Sequence, residues 1–148
     1  MKIKAGIVGA TGYAGAELLS ILKRHPLVEI RHITSESHTG KKISELYPHL
    51  FKICDMTLES LRDIEKIGAD SDFVFIALPH GHAMDVGKKL ENLPVRIIDL
   101  GADYRFDDVT IYEKWYKVEH THKDAQRVYG LAEIYRDKIR GAKIIGNA

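Results

Sequence analysis

The apolar positions of this chain first gather into a short continuous run, Ile3 to Val8, that stops abruptly at Gly9. A helical period follows: Ala14, Leu18, Ile21 and Leu22 fall on one face of a helix that begins near Tyr13 and is stopped by His25-Pro26. Val28 to Ile33 then alternates apolar and polar residues as a strand does, and gives way at Thr34-Ser35 to a stretch dominated by Ser, Thr, Gly and Lys as far as Ile43. Strand, glycine-rich turn, helix and strand make a βαβ unit.

Further along, Leu58, Leu61 and Ile64 suggest a second, shorter helix, and an acidic turn at Asp70-Ser71-Asp72 leads into Phe73-Val74-Phe75-Ile76-Ala77-Leu78, the signature of a buried parallel strand. Pro79 ends that strand. Ala83, Val86, Gly87 and Leu90 form one helical face, Asn92-Leu93-Pro94 ends the helix, and Val95 to Leu100 supplies another strand. Beyond Gly101 the pattern loosens: Tyr104, Phe106, Tyr112, Trp115 and Tyr116 are scattered among charges, with Trp115 and Tyr116 read as packing residues, and order returns only at Lys143-Ile144-Ile145. Strands and helices alternating at this spacing predict an α/β fold, a doubly wound, mostly parallel sheet with helices on both faces and right-handed crossovers, Rossmann-like in outline. Ligands in such sheets bind beyond the carboxyl ends of the strands, so the loops after Val8, Ile33, Leu78 and Asp99 are the candidate functional loops.

Composition narrows the classes. The 148 residues suit one domain, 45% apolar and 29% charged as in ordinary globular proteins. With 22 Lys and Arg against 21 Asp and Glu, the net charge of +1 provides no field to gather nucleic acid or an anionic membrane. The expected partner is therefore a small molecule held locally. No apolar run is long enough to span a bilayer, no signal peptide precedes Ile3, and the single cysteine, Cys54, has no partner for an internal disulfide and reads as a small buried thiol. A cytoplasmic location is the expectation.

The loop Gly9-Ala10-Thr11-Gly12-Tyr13-Ala14-Gly15 spaces glycines by three between strand and helix, so the backbone turns sharply and approaches a ligand closely. Free N–H groups and the positive dipole end at the helix start favour an anion such as a dinucleotide pyrophosphate. No Gly-Lys-Ser/Thr follows, which excludes a P-loop. At the end of the second strand an NAD-preferring protein places a carboxylate for the ribose hydroxyls. Here Thr34-Ser35-Glu36-Ser37-His38-Thr39-Gly40-Lys41-Lys42 opens with hydroxyls and carries His38, Lys41 and Lys42, which favours NADP, although Glu36 is an awkward neighbour for a phosphate. Leu78-Pro79-His80-Gly81-His82 lies against the cofactor in this scheme. Neither His80 and His82 nor His120 and His122 belong to a recognisable metal-binding pattern, so no metal is expected. Arg105, in Asp99-Leu100-Gly101-Ala102-Asp103-Tyr104-Arg105, either clamps a carboxylate or phosphate or forms an internal Asp–Arg pair.

Five motifs in order, Gly9-Ala-Thr-Gly-Tyr-Ala-Gly15, Tyr47-Pro-His-Leu50, Ala77-Leu-Pro-His-Gly81, Asp99-Leu-Gly-Ala-Asp-Tyr-Arg105 and Val128-Tyr-Gly-Leu131, make the chain similar to N-acetyl-γ-glutamyl-phosphate reductase from its first strand to its last residue. The resemblance implies NADPH-dependent reduction of an acyl phosphate to a semialdehyde in arginine biosynthesis. A cysteine thiolate there displaces phosphate to give a thioester that accepts hydride, with a histidine as acid and base. It assigns Gly9, Thr11, Gly12, Tyr13, Ala14 and Gly15 to the pyrophosphate loop, Ser35 and Ser37 to the 2′-phosphate loop and Leu78, Pro79, His80 and Gly81 to the nicotinamide side. Arg105 and Glu133 fall on the substrate side.

Two departures stand out. Ala132 replaces the family's usual proline. The family also continues from Asn147 into Pro-Gly-Cys, whose cysteine is the nucleophile, whereas here Ala148 follows. The resemblance thus implies a truncated chain, residues 1–148 forming an NADP-binding domain that binds cofactor without turning over, with the catalytic and substrate domain and the contacts of a homo-oligomer belonging to the full-length protein. Two alternatives remain: a relative of aspartate-semialdehyde dehydrogenase, against which the 99–105 run argues, and a non-catalytic NADP-binding module. Short-chain dehydrogenase chemistry is excluded, because no tyrosine is followed four residues later by lysine.

Overall fold

The computed structural model describes residues 2–148. Six strands, β1 (Ile3–Val8), β2 (Val28–Ile33), β3 (Phe73–Ile76), β4 (Arg96–Asp99), β5 (Arg127–Gly130) and β6 (Ile144–Asn147), form one sheet in the order β2-β1-β3-β4-β6-β5. Every pairing is parallel, so the sheet is parallel throughout rather than mostly so. The connecting helices are α1 (Tyr13–Lys23), α2 (Ile43–Leu46), α3 (Ile64–Ala69), α4 (Ala83–Leu90), α5 (Val109–Tyr116) and α6 (Ala132–Gly141). Right-handed crossovers place α1 and α6 on one face, because β1 to β2 and β5 to β6 run the same way across the sheet, and α4 on the other, because β3 to β4 runs oppositely.

Each face buries its own cluster. Val8, Val74, Ile76 and Ile97 pack beneath Ile64 and Ile67 of α3 and Val86 and Leu90 of α4. Ala5, Ile7, Ile30 and Ile33 pack beneath Leu19 and Leu22 of α1, with Ile43, Leu50 and Leu58 closing the side. Cys54 is buried in this second cluster, as its sequence surroundings suggested. In β3 the alternation is strict: Val74 and Ile76 are fully buried while Phe73 and Phe75 are half-buried, on the face that α1 and α6 leave partly open.

Several expectations shift. Helix α1 starts at Tyr13 as predicted, but its buried face is Gly15, Ala16, Leu19 and Leu22, and Ile21 is 50% exposed. The inward phase is set by small residues that let the helix sit close to the sheet rather than by the largest apolar ones. The helix expected from Leu58 begins only at Ile64, after a 3-10 turn at Leu61–Asp63. Leu58 itself lies in an extended segment whose neighbours Thr57 and Glu59 bridge to Lys42 and Thr34. The region after Gly101 is ordered as α5, β5 and α6. Trp115, expected to pack, is 73% exposed, while Tyr116 stacks on Tyr112 at 5.0 Å. Ala132 opens α6 behind Leu131, so the local helix start forms without the family's proline.

Candidate functional site

The chain leaves β1 toward β2 and leaves β3 toward β4, so the loops after these adjacent strands diverge and open a crevice at the carboxyl edge. Its volume is about 210 Å³, and Gly9, Thr11, Gly12, Ser35, Glu36, Ser37, Leu78 and Pro79 are among its walls. The three loop glycines have three separate reasons to be glycine. Gly9 has φ +81°, and a Cβ there would lie 2.5 Å from the Ala77 carbonyl. A Cβ on Gly15 would lie 2.3 Å from the Gly9 carbonyl, so this residue sets the contact of α1 with the loop. Gly12 is different: its backbone is extended (φ −78°, ψ 163°) and a Cβ would meet nothing nearer than 3.6 Å. The fold does not require glycine there, whereas a ligand lying over the helix start would.

Gly12 is the N-cap of α1. No side chain caps the helix and its first turn contains no acidic residue, so an anion would meet unscreened N–H groups. Tyr13 is 96% exposed and Ala14 is exposed at the mouth. Thr11 holds the loop to its surroundings, its hydroxyl 2.8 Å from that of Ser35 and its carbonyl accepting the Tyr47 hydroxyl at 2.8 Å. Ser35 is buried and already paired, while Ser37 is exposed on the crevice wall. His38 faces a neighbouring hollow with Thr11, Gly12 and Tyr13, and its Nδ1 is buried without a partner among the described residues.

Of the third loop, Leu78 and Pro79 line the crevice, but His80 turns away to sit 5.3 Å from the Tyr116 ring. Gly81, at φ +89°, gives its N–H to both Asp103 carboxylate oxygens at 2.8 and 3.0 Å. Asp103 also accepts from the Ala83 N–H at 2.9 Å and the Tyr112 hydroxyl at 2.8 Å, so a residue beyond β4 caps α4 and fixes loop 79–83. The rest of the 99–105 run is equally internal. Asp99, fully buried, accepts from the Gly101 and Tyr104 N–H groups, and burial pushes its carboxyl up to about 6. The Tyr104 hydroxyl lies 2.7 Å from His122 Nδ1, and burial raises the Tyr104 phenol strongly. His120 accepts the His122 N–H on Nδ1 at 3.3 Å, its Nε2 lies 2.7 Å from the Asp103 carbonyl oxygen and 3.1 Å from an Arg127 terminal nitrogen, and burial lowers its pKa.

Arg105 does not form the internal Asp–Arg pair. It pairs with no acid among the described residues; instead Nε donates to the Asn147 carbonyl at 2.9 Å and one terminal nitrogen to the Gly101 carbonyl at 3.0 Å. It also borders a cleft of about 520 Å³ with Arg127, Tyr129, Tyr135 and Lys138, so an anion entering there would meet three cations and one acid, Asp107. Glu133 lies outside that wall, exposed in the first turn of α6. Among the described residues no group of three or more His, Cys, Asp or Glu is placed to hold a metal, and no helix is long and apolar enough to cross a membrane. Sequence reasoning missed the supporting roles of Asp103, His120 and His122, whose signal was burial of polar groups that no local pattern reveals.

Comparison with known proteins agrees with this geometry. The model of the semialdehyde dehydrogenase NAD-binding domain matches residues 4–142. N-acetyl-γ-glutamyl-phosphate reductase of Desulforamulus reducens is 51% identical over 147 residues, 98% of this chain and 42% of that protein. Its counterpart in Pelotomaculum thermopropionicum is 47% identical over 149 residues, 99% of this chain and 43% of that protein. This chain therefore spans about two fifths of the length of these relatives. Among solved structures, aspartate semialdehyde dehydrogenase with NADP from Candida albicans superposes with a TM-score of 0.67 at 18% identity, covering 99% of this chain and 42% of that one. Aspartate semialdehyde dehydrogenase II from Vibrio cholerae gives 0.71 at 17%, covering 99% and 38%; at such identities the likeness shows the fold alone. The resemblance to N-acetyl-γ-glutamyl-phosphate reductase drawn from the five motifs holds at the level of whole-chain similarity, and the chain belongs to the semialdehyde dehydrogenase NAD-binding domain family.

Proposed function

We propose that this chain is the NADP(H)-binding portion of a cytoplasmic reductase that converts N-acetyl-γ-glutamyl phosphate to the semialdehyde in arginine biosynthesis. The observation that carries the nucleotide part is Gly12: its Cβ position is open and its backbone ordinary, yet it stands at an uncapped helix start inside the strand-edge crevice. A pyrophosphate fits at this helix start, because glycine lets the phosphate oxygens reach the helix N–H groups. The bound nucleotide supplies hydride.

The chain's own residues then bind and orient. Gly9, Gly12 and the α1 amides take the pyrophosphate, while Thr11 and Ser35 hold the loop in shape through their shared hydrogen bond. Ser37 and His38 face the 2′-phosphate side of the site. Leu78 and Pro79 give the nicotinamide half an apolar wall, and Asp103 holds Gly81 behind them. Arg105 and its cationic cleft receive the anionic acyl phosphate, supplied with its nucleophile by the remainder of a protein as long as the relatives. Glu133, exposed and outside that cleft, is left without a contact role in this scheme.

Calorimetric titration with NADP tests the nucleotide part directly. Saturable binding at one site per chain is expected, with a rise in melting temperature as ligand is added. A chain that circular dichroism shows to be folded, and that takes up neither NADP nor NAD, refutes the reading.

A further inference from the structure

Among the residues that border the phosphate crevice, Glu36 is the charged one with no role in the proposed function. Glu36 lies three residues past β2, where two hollows meet. One is the phosphate crevice beside Gly9 and Gly12; the other is a mainly apolar cleft of about 300 Å³ with Leu61, Ile64, Leu78, Pro79 and Val86 in its wall and His82, Asp85 and Lys89 along its α4 side. Glu36, Leu61, Leu78 and Pro79 border both hollows. A dinucleotide with its pyrophosphate on the start of α1 and its adenine in the apolar cleft has to carry the adenosine ribose across that border, beside Glu36.

The carboxylate is anchored for this position. Oε1 accepts the Leu61 N–H at 2.6 Å and the Ser60 hydroxyl at 3.3 Å, which holds an otherwise exposed side chain at the rim. Oε2 has no hydrogen-bond partner among the described residues and remains an acceptor. A carboxylate beside the ribose suits a 2′-hydroxyl and repels a 2′-phosphate. The lysines that sequence reasoning enlisted for the phosphate do not offset it: Lys41 and Lys42 are exposed and line neither hollow, and Lys89, which does border the cleft, shares that wall with Asp85.

We propose that Glu36 admits NAD(H) as a second cofactor of this site, accepting the adenosine 2′-hydroxyl, and thereby limits the preference for NADP(H). The inference rests on the dinucleotide reading of the crevice. Lost together with a charged hydrogen bond, NAD affinity should fall about tenfold or more.

The experiment is calorimetric titration of the wild-type chain and Glu36→Gln with NAD, NADP and NAD lacking the adenosine 2′-hydroxyl. Glutamine removes the charge and keeps a side-chain oxygen for the Leu61 N–H. The wild type should bind NAD within about tenfold of NADP, and Glu36→Gln should move the ratio at least about tenfold toward NADP. The deoxy analogue should bind the wild type more weakly than NAD but the variant as well as NAD. That comparison on the wild type alone keeps the proposal testable if the variant misfolds. NADP binding without saturable NAD binding, an unchanged ratio in the variant, or equal wild-type affinities for NAD and its deoxy analogue each overturn it. A folded wild type that binds no nucleotide defeats the dinucleotide reading itself.

Discussion

Replacing Gly12 and Gly15 separately by alanine divides what the glycine loop does for the fold from what it does for a ligand. At Gly15 the new methyl would lie 2.3 Å from the Gly9 carbonyl oxygen and 2.9 Å from Ala10 Cα, both backbone atoms that no rotamer change can move. Overpacking of this kind costs about 1–3 kcal/mol or more, against which alanine's better helix propensity returns at most about 1 kcal/mol. A net loss of about 2 kcal/mol in a domain of this size lowers the melting temperature by about 4–8 °C. At Gly12 the methyl meets the Gly9 and Ala77 carbonyls at 3.6 and 3.8 Å, ordinary contact distances. The poorer N-cap costs a few tenths to about 1 kcal/mol, and reduced freedom of the unfolded chain recovers a similar amount. The melting temperature of the free chain should therefore hardly move, while NADP affinity falls about thirtyfold or more because the methyl occupies the approach to the pyrophosphate. Scanning calorimetry and titration on both variants measure the two effects. If Gly12→Ala bound NADP as tightly as the wild type, or melted as early as Gly15→Ala, the assignment of the open position to a ligand would be wrong.

Two further outcomes follow from the packing. Burial raises the Asp99 carboxyl to about 6 from its ordinary 3.8, so its protonated form is favoured by folding; the stabilisation is complete below about pH 4 and is lost as pH rises through 6. Urea unfolding should show a loss of up to about 3 kcal/mol from this group between pH 4 and 7, and Asp99→Asn should flatten that part of the profile; identical pH slopes in the two proteins would refute it. Ala132→Pro, at the first position of α6 behind an extended Leu131 (φ −79°, ψ 91°), should raise stability by about 0.4–1 kcal/mol, read as a higher urea midpoint at constant m-value.

The first four strands were legible because each is an apolar run or, in β2, an apolar–polar alternation cut off by glycine, proline or polar residues, and because the two inner faces of the sheet are well covered there. The last third was not, for a physical reason visible in its burial. Helix α6 buries no residue, α5 buries only Tyr112, and the edge strand β5 is half-exposed at all four positions. Elements that bury so little offer few apolar positions to read, and half of the residues of α6 are charged. Helix α1 shows the complementary error: of Ala14, Leu18, Ile21 and Leu22, Leu22 is buried and Leu18 packs against the core, but Ala14 and Ile21 are exposed, and Gly15 and Ala16 make the close approach.

The site was legible where a backbone requirement forces a residue type, and illegible where a side chain acts at a distance. Three glycines between a strand and a helix announce a turn, though the sequence alone does not say that only Gly12 is free of structural duty. The run Asp99 to Arg105 is the more specific motif, and chemistry was the natural reading of two acids and an arginine at a strand end. Its side chains are spent largely on the fold: Asp99 closes its own turn, Tyr104 reaches His122, and Arg105 gives two donors to backbone carbonyls. Asp103 is the instructive case, since by holding Gly81 and the start of α4 it fixes the loop behind Leu78 and Pro79, 22 residues away in the chain. A distinctive motif at a ligand-binding edge therefore need not touch the ligand; it also arises where one loop must be held rigid so that another can touch it.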